Sequence, residues 1–179
     1  MSKIIGFCGS PRKGNTEFLM KTALESAEKQ GHETEYVSLH KTKIGFCTAC
    51  NACKIAHSGC VQKDDMAEFG EKLKDADIWI LGTPVYWWGP TAQMKVFIDR
   101  WYGLSKDTFK NKKAVLIVCM EDVEEKTASH TIGMFKDSLN YLGVELIDVI
   151  LAKGVWEAED IRKKTDVIQL AADLVQKFE

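Results

Sequence analysis

The stretch AVLIVCM, Ala114 to Met120, decides the fold. An unbroken apolar run of this kind is a strand whose two faces are both covered, as in a parallel sheet between layers of helix. Four more strand segments are spaced along the chain around it: KIIGFC at 3 to 8, TEYVSL at 34 to 39, DIWILG at 77 to 82 and VELIDVIL at 144 to 151. Helical periodicity fills the gaps between them. After Thr16 the apolar residues Met20, Ala23, Leu24 and Ala27 share a face, and Gly31 is placed to end that helix. DDMAEFGEKL opens another, with Asp65 and Glu68 spaced as a capping box. TAQMKVFIDRWYGL, from Thr91, and the segment Thr131 to Leu142, stopped by Gly143, give two more. In the tail, Ala158 to Phe178, one face carries Ile161, Ile168, Ala172 and Val175. Strands alternating with helices predict a single α/β domain over residues 1 to 179, a doubly wound five-stranded parallel sheet with helices on both faces.

Charge and composition narrow the partners. The net charge of -2 comes from 24 basic and 26 acidic residues mixed along the chain, with no basic block, which argues against nucleic acid or an anionic membrane as partner. No apolar run approaches the ~20 residues of a membrane span, and no leader-like segment follows Met1. The expectation is a cytoplasmic protein, in whose reducing compartment clustered cysteines serve metal or redox chemistry more often than structural disulfides.

In a doubly wound sheet, ligands sit beyond the carboxyl ends of the strands. The loop after the first strand, GSPRKGNT, leads into a helix N-terminus, where backbone N–H groups and the dipole favour a phosphate. Ser10, Asn15 and Thr16 add polar donors and Arg12 and Lys13 add charge, although the same residues are also ordinary turn and capping residues. The loop after the third strand, TPVYWWGP, spans Thr83 to Pro90. Its Tyr86, Trp87 and Trp88 cannot all enter one core, so some of them face a ligand, a partner or solvent. A flat ring with polar edges suits that wall, its edges met by N–H groups around Val85 to Trp87. The loop after the fourth strand, MEDVEEKT, is acidic and carries no clear signal.

The one irregular stretch, about 40 to 62, contains CTACNACKIAHSGC with Cys47, Cys50, Cys53 and Cys60. Spacing by two residues lets three thiolates turn toward one centre, with a fourth to close the tetrahedron. A bacterial ferredoxin run places its fourth cysteine after three residues and before proline; here it comes after six and before Val61. Zinc, free or oxidised thiols, and an iron–sulfur cluster all remain open on spacing alone. His57 inside the loop reads as a solvated side chain, Cys8 and Cys119 as packing, Asp99 and Arg100 as a helix-surface pair or helix cap, and Asp64 and Asp65 as helix-starting residues.

Taken in order, GSPRKGNT, the cysteine run leading into DDM, and TPVYWWGPTAQMKVFIDR resemble the NADPH-dependent FMN reductase family of flavodoxin-like proteins, and within it the iron–sulfur flavoprotein branch. The motifs cover about the first hundred residues. The resemblance implies that Ser10, Arg12, Lys13, Asn15 and Thr16 hold the FMN phosphate, that Thr83, Pro84, Val85, Tyr86, Trp87 and Trp88 border the ring, and that the four loop cysteines ligate a [4Fe-4S] cluster. It also implies a homodimer or homotetramer, with Trp101 and Tyr102 at a subunit boundary or in the core. The donor is a carrier such as ferredoxin, or NAD(P)H; the acceptor is a quinone, a flavin, an oxygen species or another protein. The bulk of Trp87 and Trp88 exceeds that of many relatives, which narrows access for a nicotinamide and puts direct hydride transfer from NADPH in question. Two rival functions stand beside this one: an NAD(P)H-dependent FMN or quinone reductase without a cluster, and a zinc-organised binding module.

Overall fold

The structure is a computed structural model and describes residues 1–55 and 59–178. Five strands, β1 (Lys3–Cys8), β2 (Glu33–Ser38), β3 (Ile78–Pro84), β4 (Lys113–Cys119) and β5 (Glu145–Ala152), form one parallel sheet in the order β2-β1-β3-β4-β5. The chain reverses its winding direction between β1 and β3, so the loops leaving those two strands flank the crevice where such sheets bind ligands.

The helices are α1 (Asn15–Lys29), α2 (Ala52–Ile55), α3 (Met66–Asp75), α4 (Ala92–Arg100), α5 (Ser129–Leu142) and α6 (Thr165–Asp173). Alternate residues of each strand feed opposite layers. Ile4, Cys8, Val115, Ile117 and Cys119 pack with residues of α1 and α6. Ile5, Phe7, Ala114, Leu116 and Val118 pack with residues of α3, α4 and α5. Residues Ala114 to Cys119 are all buried, so the apolar run behaves as a doubly covered strand must. The layers meet closely at Gly82, where a Cβ would stand 2.5 Å from Met20 Cε and 3.0 Å from Thr16 Cγ2.

Two expectations are corrected. The capping box at Asp65 does not form, because the incoming loop offers better donors to its carboxylate. Asp65 has helical backbone angles and accepts from Lys43 N at 2.7 Å, Asp64 Oδ1 takes Met66 N at 3.1 Å, and Glu68 pairs with Lys72 at 2.7 Å. In the tail, a 3-10 turn at Asp160–Lys163 precedes α6 and rotates its face by one position. Val167, Ala171 and Leu174 are buried with Ile161 and Val175, and Ile168 and Ala172 are only half-buried. No helix among the described residues is long and apolar enough to cross a membrane.

Candidate functional site

At the carboxyl edge of the sheet, the loops after β1, β3 and β4 enclose a hollow of about 130 Å³. Ser10, Arg12, Asn15 and Thr16 come from the first loop, Pro84, Val85 and Tyr86 from the second, and Met120 and Glu121 from the third. A fourth contribution, Val155 and Trp156 after β5, was not legible in the sequence. The first loop is held by its neighbours: Gly9 N donates to Gly82 O at 2.7 Å and Thr91 Oγ1 to Gly9 O at 2.7 Å. A Cβ on Gly9 would meet Thr91 Oγ1 and Met94 Cβ at 2.8 Å, so glycine is required there.

The side chains of the first loop are largely committed to shaping it. Ser10 Oγ donates to Arg12 O at 3.0 Å. Asn15 donates through Nδ2 to Glu157 O at 2.9 Å and accepts Ile161 N at 3.1 Å, tying α1 to the segment after β5. Arg12 Nη2 donates to Trp156 O at 2.6 Å, with its guanidinium 5.9 Å from the indole centroid. Thr16 is buried, and Lys13 is exposed and does not line the hollow. α1 has no side-chain N-cap, and its hydrogen-bond ladder starts with Phe18 N to Gly14 O at 2.9 Å. The first-turn N–H groups of α1 are therefore left without a side-chain cap, the arrangement that suits an anion at a helix start.

In the second loop, Thr83 is fully buried and spends its hydroxyl on Pro84 O at 2.9 Å and Thr91 N at 3.1 Å. Two N–H groups expected to meet a ring edge are engaged by the backbone, Val85 N to Cys119 O at 2.9 Å and Tyr86 N to Gly89 O at 2.8 Å. Tyr86 to Gly89 is a tight turn whose central residues, Trp87 at φ 50° and Trp88 at φ 60°, both occupy the left-handed region. That conformation normally selects Asn-Gly, so two tryptophans there carry strain. The turn is pinned by Thr131 Oγ1 donating to Trp88 O at 3.0 Å. Trp87 is 91% exposed and Trp88 51%; neither lines the hollow, whose wall from this loop ends at Tyr86. At the floor, burial pushes the Cys119 thiol up to about 12, so it stays protonated.

The cysteine loop forms a second, separate hollow. Cys47, Cys50, Cys53 and Cys60 all line a space of about 20 Å³, together with Arg100 and Tyr102, and none of the described residues lines both hollows. Left-handed backbone at Ala49 (φ 52°) and Asn51 (φ 58°) reverses the chain between the first three thiols. All four are free cysteines. Among the described residues no three His, Cys, Asp or Glu side chains stand close enough to hold one metal ion, so the thiols ring the space without converging on a point. His57 lies outside the described residues.

Arg100 overturns its reading as a surface residue. Its side chain is 1% exposed and points at the cysteine loop, where Nη1 donates to Asp64 Oδ2 at 2.6 Å and Nη2 to Cys60 Sγ at 3.4 Å. Burial pushes its pKa down, but Asp64 and Cys60 together raise it. Asp99 pairs with Lys95 on the surface instead. Trp101 is core, packed edge-on or tilted against Trp79, Phe97 and Phe109, whereas Tyr102 is half exposed and donates to Asn51 Oδ1 at 3.3 Å.

The strand order and the loop pocket define a flavodoxin-like α/β protein with a small hollow at the carboxyl edge of its sheet. The family model for NADPH-dependent FMN reductase matches residues 2–145. An iron–sulfur flavoprotein of Archaeoglobus fulgidus is 35% identical over 184 residues, spanning 99% of this chain and 80% of that protein. An iron–sulfur flavoprotein of Methanocaldococcus jannaschii is 44% identical over 99 residues, 55% of this chain and about half (51%) of that protein's length. Among solved structures, an NAD(P)H:quinone oxidoreductase from Methanothermobacter marburgensis superposes with a TM-score of 0.77 at 19% identity, covering 99% of each chain, a likeness of fold. The chain belongs to the NADPH-dependent FMN reductase family, in its iron–sulfur flavoprotein branch, and is a flavin-dependent oxidoreductase with FMN as its cofactor.

Proposed function

We propose that the protein is an electron-transfer oxidoreductase that relays electrons between a [4Fe-4S] cluster held by Cys47, Cys50, Cys53 and Cys60 and FMN held at the sheet edge. The observation that carries this reading is the ring of four free thiols around one hollow, on a chain that already binds a flavin. Soft thiolate donors in a set of four suit iron–sulfur ligation, and a buried cation beside Cys60 offsets the negative charge such a site accumulates. Bound FMN exchanges electrons singly or in pairs and a cluster singly, so together they join two-electron substrates to one-electron carriers.

The protein's own residues bind, orient and exclude water. The first-turn N–H groups of α1 and the Arg12 guanidinium meet the FMN phosphate, with Lys13 adding charge from outside. Ser10, Asn15 and Thr16 hold that loop in shape, and Asn15 acts through its backbone N–H because its amide is engaged. Pro84, Val85 and Tyr86 contact the ring; Thr83 keeps their loop in place, and Trp87 and Trp88 extend the wall outward. The hollow is smaller than the roughly 300 Å³ at the lower end of ligand pockets, so a flavin bound there stays partly uncovered in a single chain. A homodimer or homotetramer that covers the exposed Trp87 and Trp88 answers this. The single domain acts in the cytoplasm, takes electrons from ferredoxin or NAD(P)H, and passes them to a quinone, another flavin, an oxygen species or a protein. No side-chain acid or base is required.

A second reading, an NAD(P)H-dependent FMN or quinone reductase without a cluster, is favoured by the exposure of Cys47, Cys50 and Cys60 as free thiols. Iron, acid-labile sulfide and flavin assayed on anaerobically purified protein separate the two. Iron and sulfide at about four per chain with one FMN support the relay; flavin without iron supports the plain reductase.

A further inference from the structure

Among the described residues Arg100 is the one charged side chain sealed in the protein interior. Its guanidinium gathers both ends of the cysteine run. Nη1 donates to Gly45 O at 2.8 Å, two residues before Cys47, to Gln62 Oε1 at 3.2 Å, two residues after Cys60, and to Asp64 Oδ2 at 2.6 Å. Nη2 meets Asp64 Oδ1 at 3.1 Å and Cys60 Sγ at 3.4 Å, while Nε has no hydrogen-bond partner. One turn further on, Gly103 comes so close to Cys60 that a Cβ there would stand 3.2 Å from Cys60 Cβ. Cys60 is therefore seated against both the Arg100 guanidinium at the end of α4 and the turn that follows it, and Cys47, Cys50 and Cys53 line the same hollow.

We infer that Arg100 is the positioning residue of the cysteine site: it fastens the two ends of the loop to α4 and supplies the positive potential under which the bound cluster accepts its electron. The inference rests on the cluster reading above and deepens it. One-electron reduction adds one negative charge to the cluster and its thiolates, the electron coming from the external reductant. A nearby desolvated cation favours that reduced state, and the Asp64 carboxylate opposes it. The two residues thus pull the reduction potential in opposite directions. A residue that merely held the fold together would not do so.

The test compares wild type, R100Q and D64N, each reconstituted anaerobically with iron and sulfide, with FMN content as the check on folding. The readouts are the midpoint potential of the cluster absorbance in a reductive titration and the rate of iron loss to a chelator. R100Q is expected to shift the potential negative and to release iron several-fold faster, and D64N to shift the potential positive. R100Q holding FMN with an unchanged potential, or shifts of the same sign in both variants, would overturn the inference while leaving the cluster reading intact. Should R100Q fail to fold, D64N decides alone, since an unchanged or more negative potential contradicts the inference. Wild type that takes up no iron overturns the cluster reading, and the inference with it.

Discussion

The Arg100 guanidinium grips both oxygens of the Asp64 carboxylate, Nη1 to Oδ2 at 2.6 Å and Nη2 to Oδ1 at 3.1 Å, joining the end of α4 to the entrance of α3. With side chains 1% and 13% exposed, the pair is shielded from water. Breaking such a pair by removing one partner strands the other charge, at a typical cost of about 3–5 kcal/mol. R100M is expected to lose stability on that scale in urea denaturation, and D64L/R100M to lose clearly less than the sum of the single changes. A single R100M loss under about 1 kcal/mol would contradict the pairing.

The same contact sets an acid response. Burial raises the Asp64 carboxyl, but Arg100 and the N–H groups of Gly45 and Met66 outweigh it and hold the carboxyl below its usual value. A depressed folded pKa means that the unfolded chain binds the extra proton first. The stability it contributes is thus present above the unfolded value of about 3.9 and is lost as pH falls through the folded one. Wild type should lose urea resistance more steeply than D64N below about pH 4, all other carboxylates being common to both. Parallel pH profiles would count against it.

The Tyr86–Gly89 turn holds two tryptophans in left-handed backbone, at roughly 1–2 kcal/mol per residue. Asn-Gly fits this geometry without strain. W87N/W88G should therefore raise the melting temperature, by about 2–4 °C per kcal/mol released, while weakening FMN binding through loss of the outer wall. A lower melting temperature would show that the indoles are held by contacts worth more than the strain.

Thiol reactivity should divide the cysteines by location. Burial raises Cys8 and takes Cys119 to about 12, whereas the Ala52 N–H and the Thr48 hydroxyl lower the exposed Cys50. Iodoacetamide at pH 8 on native, metal-free protein should modify Cys50 early and leave Cys8 and Cys119 unmodified, as read by peptide mass spectrometry. Labelling of Cys119 at the rate of Cys50 would contradict its burial.

What the sequence made legible follows from which signals are local. Runs such as AVLIVCM announce a covered strand, and turn residues such as GSPRKGN announce the loops, so the sheet and two of the site's walls were readable. Arg100 was not, because a charged residue on a helix normally faces water and nothing beside it says otherwise. A signal was nonetheless present: Met94, Phe97 and Trp101 mark the buried face of α4, and Arg100 lies three residues beyond Phe97 on that face. Trp156 joins the pocket through a carbonyl bonded to Arg12, 144 residues away in sequence, a contact with no local pattern. The capping box failed for a similar reason: Lys43 N, far along the chain, outbid the helix for Asp65.

On the proposed reading the loop after β1 receives the phosphate of FMN, which quenching of flavin fluorescence on titration with flavin-free protein would report. One FMN should bind per chain, with riboflavin weaker by at least about tenfold, the 1.4 kcal/mol expected of a single charge-assisted hydrogen bond, and R12A should narrow that gap. Equal affinity for FMN and riboflavin, or no quenching by either, would contradict the account.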